Sequence, residues 1–141
     1  MESVDQPILR AESLSKTYRS GDNPLTAFSG VNLEIRAGER IALIGASGTG
    51  KSTLLHLLGL LDTPTTGQIW FRGQPLIGLR PDEIAEWRNR QVGFVWQMNT
   101  LLPEFSALEN VMMPLLIRGT ARGEAAEKAA AQLEKVGLAD R

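Results

Sequence analysis

The segment GASGTGKS, Gly45–Ser52, lies between the apolar run Ile41–Ile44 and the leucine-rich stretch LLHLLGLL at residues 54–61. Its glycines let the backbone curl with positive φ and bring successive N–H groups close to an anion. A helix starting just after such a turn aims its positive end at the same point. Gly45, Gly50, Lys51 and Ser52 satisfy the pattern G-x-x-x-x-G-K-[ST] in full. In that chemistry Ala46, Ser47, Gly48 and Thr49 complete the cradle and Lys51 carries a point charge to the β and γ phosphates. Ser52 offers its hydroxyl to Mg²⁺ and Thr53 a second hydroxyl on the phosphate side. The plainer reading is a glycine-rich turn joining a strand to a helix, but a full match with an apolar strand before it and a helix after it is rare by chance.

Elsewhere strands alternate with helices, which argues for an α/β fold. Residues 8–18 read as a strand followed by the turn SGDNP, and Val31, Leu33 and Ile35 alternate with polar residues as in a half-buried strand. The unbroken apolar run through Arg40–Ile44 suits a parallel strand buried on both faces, and Val92–Trp96 suits another. Gly50–Leu60 reads as a helix apolar almost all round, and so interior. Ile69–Phe71 is a short strand, and Pro81-Asp82-Glu83 opens a helix ending near Arg88 and Arg90. Ser106-Ala107-Leu108-Glu109 is a capping box, and Ala125, Ala129, Leu133 and Val136 mark one face of a helix closed by Gly137.

At 141 residues the chain has room for one domain. Its net charge of −1 gives no basic stripe for nucleic acid. It has no cysteine, which excludes disulfides and thiolate metal sites. The start MESVDQPILR lacks the pattern of a targeting signal, and the apolar stretches fall short of the ~20 residues that span a bilayer. These features read as a cytoplasmic protein that meets a membrane only through a partner. His56, the sole histidine, sits among leucines and reads as packing, as do Trp70, Trp87 and Trp96.

The loop alone leaves GTPases, small kinases and transporter ATPases open; the absence of an Asn-Lys pair disfavours a GTPase. LSKTY before the loop, GASGTGKSTLLHLLGLLDTPTTGQIWFRG through it, and VGFVWQ followed by LLPEFSALENVMMPLL resemble the ABC-transporter ATPases over Leu14–Leu138. Within that family the combination of LLHLLGLLDTPTTG and LLPEFSALENVMMPLL most resembles the branch serving lipoprotein release, and the macrolide-export and cell-division branches share much of the pattern. The resemblance implies the N-terminal part of a P-loop ATPase domain, an antiparallel β subdomain beside an incomplete parallel core sheet. The P-loop core and β subdomain would fill about 1–97, and the glutamine loop and the start of a helical subdomain about 97–141. It implies that Tyr18 stacks on adenine and that Gln97 completes the Mg²⁺ shell around bound ATP. Leu101–Ile117 would receive the transmembrane permease subunits or pack on its own core, and a second ATP-binding subunit would complete a homodimer on the inner face of the inner membrane.

Cleavage in that family needs an apolar strand ending in Asp-Glu, a signature segment and a switch histidine. No apolar tetrad precedes an acidic pair here, no SGG occurs, and KVGLADR comes shortly before the signature would be expected. These residues would hold a phosphate without the groups that cleave it. A nucleotide-binding module without turnover, or the product of a decayed gene, is the alternative, with a small P-loop kinase third. An apolar Arg40–Ile44 strand left at an edge would make the chain marginally stable and prone to aggregate.

Overall fold

The structure, a computed structural model, describes residues 6–21, 23–98 and 100–140. Contacts divide the chain into two compact units, the first running to Arg88 and the second beginning at Asn89.

The first unit is built on an antiparallel sheet. β1 (Leu9–Ser20) and β2 (Asn23–Ile35) form a long hairpin in which Ser20 pairs with Asn23, where the sequence places its turn. β3 (Thr66–Phe71) lies on the other side of β1, and the short β4 (Gln74–Pro75) follows it, giving the order β2-β1-β3-β4. Ala11 faces Leu33 on one side and Ile69 on the other, so one apolar row runs across three strands. β1 bulges around Ser13 opposite both neighbours: toward β3, Ser13 and Leu14 lie between the pairs Glu12–Gln68 and Ser15–Thr66, and toward β2, Glu12 and Ser13 lie between Ala11–Leu33 and Leu14–Val31. The bulge would orphan a backbone donor; instead the Ser13 N–H donates to Asn32 Oδ1 at 2.8 Å.

α1 (Lys51–Leu58) closes this core. Its Leu54 and Leu57 are buried with Ala11, Leu14, Leu60, Ile69 and Leu76. The helix is not interior all round, because Leu55 is half exposed. α2 (Pro81–Gln91) begins as its acids foretell, with the Arg80 N–H donating to Glu83 Oε2 at 2.8 Å. Trp87 packs edge-on against Phe71.

The second unit pairs α3 (Ala107–Ile117) with α4 (Arg122–Lys135). The expected box at the start of α3 is present: Ser106 Oγ accepts from the Glu109 N–H, and Glu109 Oε2 accepts from the Ser106 N–H. Met112 is buried on Ala125 and Ala129, whose small side chains let the helices approach closely. The chain leaves α4 through Gly137, with Leu138 N–H donating to the Leu133 carbonyl at 2.9 Å.

Two expected strands do not form. Arg40–Ile44 and Val92–Trp96 run without ladder pairing, and among the described residues the sheet is antiparallel throughout. A strand exists by hydrogen bonding to a neighbour, and among the described residues neither run pairs with one. Much of their apolar surface is accordingly exposed, Ile44 by 94% and Val95 fully, while Val92 and Phe94 are half-buried. The α/β class and the antiparallel subdomain stand; the parallel part of the sheet is absent from the described residues.

Candidate functional site: the loop at Gly45–Ser52

The loop is set by its glycines and by the hairpin behind it. Gly50 caps α1 in the left-handed region, φ 83°, with no side-chain cap. A Cβ there would stand 2.8 Å from the Ala27 carbonyl oxygen and 3.1 Å from Phe28 Cδ1. The position therefore requires glycine twice, for its dihedral and for the close approach of β2. The first intrahelical bond runs from Leu54 N–H to the Gly50 carbonyl at 2.8 Å. The N–H groups of Lys51, Ser52 and Thr53 precede it and have no acceptor within the helix. No acidic side chain lies in this first turn to compete for them. Free donors and the positive end of the helix dipole are features that favour an anion.

Lys51 reaches back across the loop. Its ammonium donates to the carbonyls of Gly45 and Ala46, at 2.9 and 2.6 Å, and lies 3.4 Å from Thr49 Oγ1. Thr49 Oγ1 donates to the Ala46 carbonyl at 2.9 Å, so the loop is braced from within. Ser47, Gly48 and Ser52 face solvent. A cavity of about 330 Å³ adjoins the loop, walled by Phe28, Val31, Leu43, Ile44 and Leu54 and reaching Lys51.

The other sequence-derived candidates lie on other elements. Tyr18, on β1 in the first unit, is partly exposed and donates its hydroxyl to Asp62 Oδ2 at 3.1 Å. Gln97 belongs to the second unit, exposed in a bend. Leu101, Leu102 and Phe105 before α3 are exposed, whereas Met112 within it is buried, so the apolar segment divides between surface and core. Glu109 serves the cap and also pairs with Arg122. Its carboxyl is held below the usual range, first by the bond from the Ser106 backbone, then by the Ser106 hydroxyl, with Arg122 adding to both.

Sequence reading missed Asp62 and Lys16. Lys16 Nζ donates to Asp62 Oδ1 and to the Thr63 carbonyl, both at 2.7 Å, and lies 4.9 Å from the centre of the Tyr18 ring. Burial pushes the Asp62 carboxyl up, but bonds from Lys16, Thr63 and Tyr18 outweigh it and bring the pKa below the ordinary value. The period of two on β1 puts Lys16 and Tyr18 on one face, which is a signal; an acid more than 40 residues away carries none.

Neither the loop nor Gln97 offers a soft ligand, and no group of three acids, histidines or cysteines stands ready for a metal among the described residues. The Ser52 hydroxyl and the Gln97 amide oxygen are hard donors, the kind Mg²⁺ takes when phosphates supply the rest.

The fold and the loop define a P-loop nucleotide-binding domain. The ABC transporter family profile matches residues 28–141, and the chain belongs to that family. Similar proteins include the lipoprotein-releasing system ATP-binding protein LolD of Idiomarina loihiensis, 48% identical over 95% of this chain and 59% of its own. LolD of Geobacter metallireducens is 52% identical over 95% of this chain and 60% of its own. The chain thus spans about three fifths of the length of these relatives. Among solved structures, a dimeric ATP-binding cassette in a post-hydrolysis state with ADP and Pi superposes with a TM-score of 0.82 at 35% identity, covering 89% of this chain and 56% of its own.

Proposed function

We propose that the chain binds MgATP at Gly45–Thr53 as the nucleotide-holding part of an ABC transporter subunit that serves lipoprotein release. The observation that carries this is the N-terminus of α1, three free N–H groups and the Lys51 ammonium around a glycine-built turn. In this reading the N–H groups and Lys51 receive the β and γ phosphates, and Lys51 exchanges a loop carbonyl for a phosphate oxygen. Ser52 and Gln97 hold Mg²⁺, which neutralises phosphate charge when bound, and Tyr18 stacks on the adenine.

The partners in this reading are transmembrane permease subunits and a second ATP-binding subunit. Exposed Leu101, Leu102 and Phe105 are the surface offered to the permease. No helix among the described residues is long and apolar enough to cross a membrane. In this reading the chain meets the inner face of the inner membrane through those partners. The names of the similar proteins support lipoprotein release, and the dimeric state of the solved cassette supports a pair. The site residues all fall in the part up to residue 97, where we divide the P-loop core and β subdomain from the helical part, with Gln97 at the boundary.

Calorimetric titration with MgATP tests this reading. Lys51→Ala removes the cation and is expected to weaken binding by at least about tenfold, as loss of a charged hydrogen bond does, while the melting temperature stays near wild type. Equal affinity in both proteins overturns the placement.

A further inference from the structure

We propose that Asp62 is a positioning residue for the nucleotide base: with Lys16 it locks the Tyr18 ring in one orientation and leaves a single face open to stack. This rests on the reading of Tyr18 as the stacking residue. Both carboxylate oxygens are engaged, Oδ1 by Lys16 and by the Thr63 N–H at 2.7 Å each, and Oδ2 by the Tyr18 hydroxyl at 3.1 Å. The hydroxyl bond fixes the far end of a side chain that has only two free torsions. The Lys16 ammonium lies over the ring, 4.9 Å from its centre, with its side chain only 12% exposed. One face of the phenol is therefore occupied, while the residue as a whole stays 38% exposed. A cation on that face draws π density toward itself and makes the opposite face a better partner for an electron-rich purine.

The cluster is more than a tie between strand and loop, because that tie exists without it. Thr65 N–H donates to the Ser15 carbonyl at 2.9 Å, and the Thr17 N–H donates to Thr65 Oγ1 at 2.9 Å. These two bonds hold the loop after α1 to β1 independently of Asp62. The carboxylate is thus free to serve the ring.

The test compares ligands with and without a base, in calorimetric titrations of the full chain with MgATP and with magnesium tripolyphosphate. Loss of stacking in Tyr18→Ala is expected to weaken MgATP by about tenfold, and Asp62→Ala by about fivefold, with tripolyphosphate unchanged in both. In the Tyr18→Ala background, Asp62→Ala is expected to add nothing further. Tyr18 is the only tyrosine, so its ¹³Cζ resonance is unambiguous, and Asp62→Asn is expected to shift it. Should Asp62→Ala fold poorly, Asp62→Asn and Tyr18→Phe carry the same comparison. Equal weakening of both ligands by the Asp62 variants would assign the residue to the loop and overturn the proposal. Unchanged MgATP binding in the Asp62 variants alongside a loss in Tyr18→Ala would overturn it too, leaving the stacking reading intact. Unchanged binding in Tyr18→Ala would remove the stacking reading and this inference together.

Discussion

β1 is mostly polar, with apolar residues at Leu9, Ala11, Leu14 and Tyr18, and Ile41–Ile44 is unbroken apolar, yet the first lies inside a sheet and the second is not a strand at all. The difference is in their neighbours. β1 finds β2 directly after it in the chain and β3 on its far side, both antiparallel. Its Leu14 is wholly buried, while Ile44 is 94% exposed. A parallel strand draws its neighbours from distant parts of the chain, and among the described residues none pairs with Arg40–Ile44. Apolar pattern proposes a strand; pairing makes one. The phosphate loop sits at the junction of these two conditions, with an unpaired run before it and a packed helix after it.

Substitutions in the paired and unpaired regions should therefore differ sharply. The largest effect is expected at Gly67 of β3, opposite the bulge of β1. A Cβ there would lie 2.6 Å from the carbonyl oxygens of both Glu12 and Ser13, at a φ of 97°. Strain and overpacking together put the cost of Gly67→Ala at about 4 kcal/mol, read as a lowered midpoint in urea. An unchanged midpoint would mean the bulge is not a fixed part of the sheet.

Leu14→Ala comes next, at about 3 kcal/mol for a fully buried leucine beside Leu57 and Ile69. Ile44→Ala, in the unpaired run, is expected to change stability by less than about 0.5 kcal/mol. Comparable losses at the two positions would break the comparison, because Ile44 would then be buried in the folded protein.

The same contrast explains which features were legible. The phosphate loop, the Ser106–Glu109 box and the Gly137 exit depend on residues a few positions apart, and sequence carries that information whole. The hairpin was legible because alternation in Val31, Leu33 and Ile35 met a turn signal between adjacent strands. The strands at Arg40–Ile44 and Val92–Trp96 were not decidable, since their existence rests on partners that no local pattern names. Asp62 was invisible for a related reason: it reads as part of a turn, and its role comes from Lys16 and Tyr18, brought to it by the fold. Half-exposure of Leu55 on α1 likewise reflects what covers the helix rather than its own composition.

The smallest effect is a pH dependence that follows from the Asp62–Lys16–Tyr18 cluster. The Asp62 carboxyl is lowered in the folded protein: burial raises it, but bonds from Lys16, Thr63 and Tyr18 to the charged form prevail. In the unfolded chain it returns to the ordinary aspartate value, about 3.9. A group lowered on folding stabilises the native state fully above that unfolded value and loses the contribution as pH falls through the folded one. Urea midpoints should therefore fall below about pH 4 in the wild-type protein. Glu83 and Glu109 are lowered as well, by Arg80 and by Ser106 respectively, so part of the fall belongs to them. Asp62→Asn removes only the share due to the Lys16–Tyr18 cluster, and its profile should run flatter than wild type while keeping the remainder. Parallel profiles would show that the carboxylate is held no more tightly in the folded protein than in the unfolded chain.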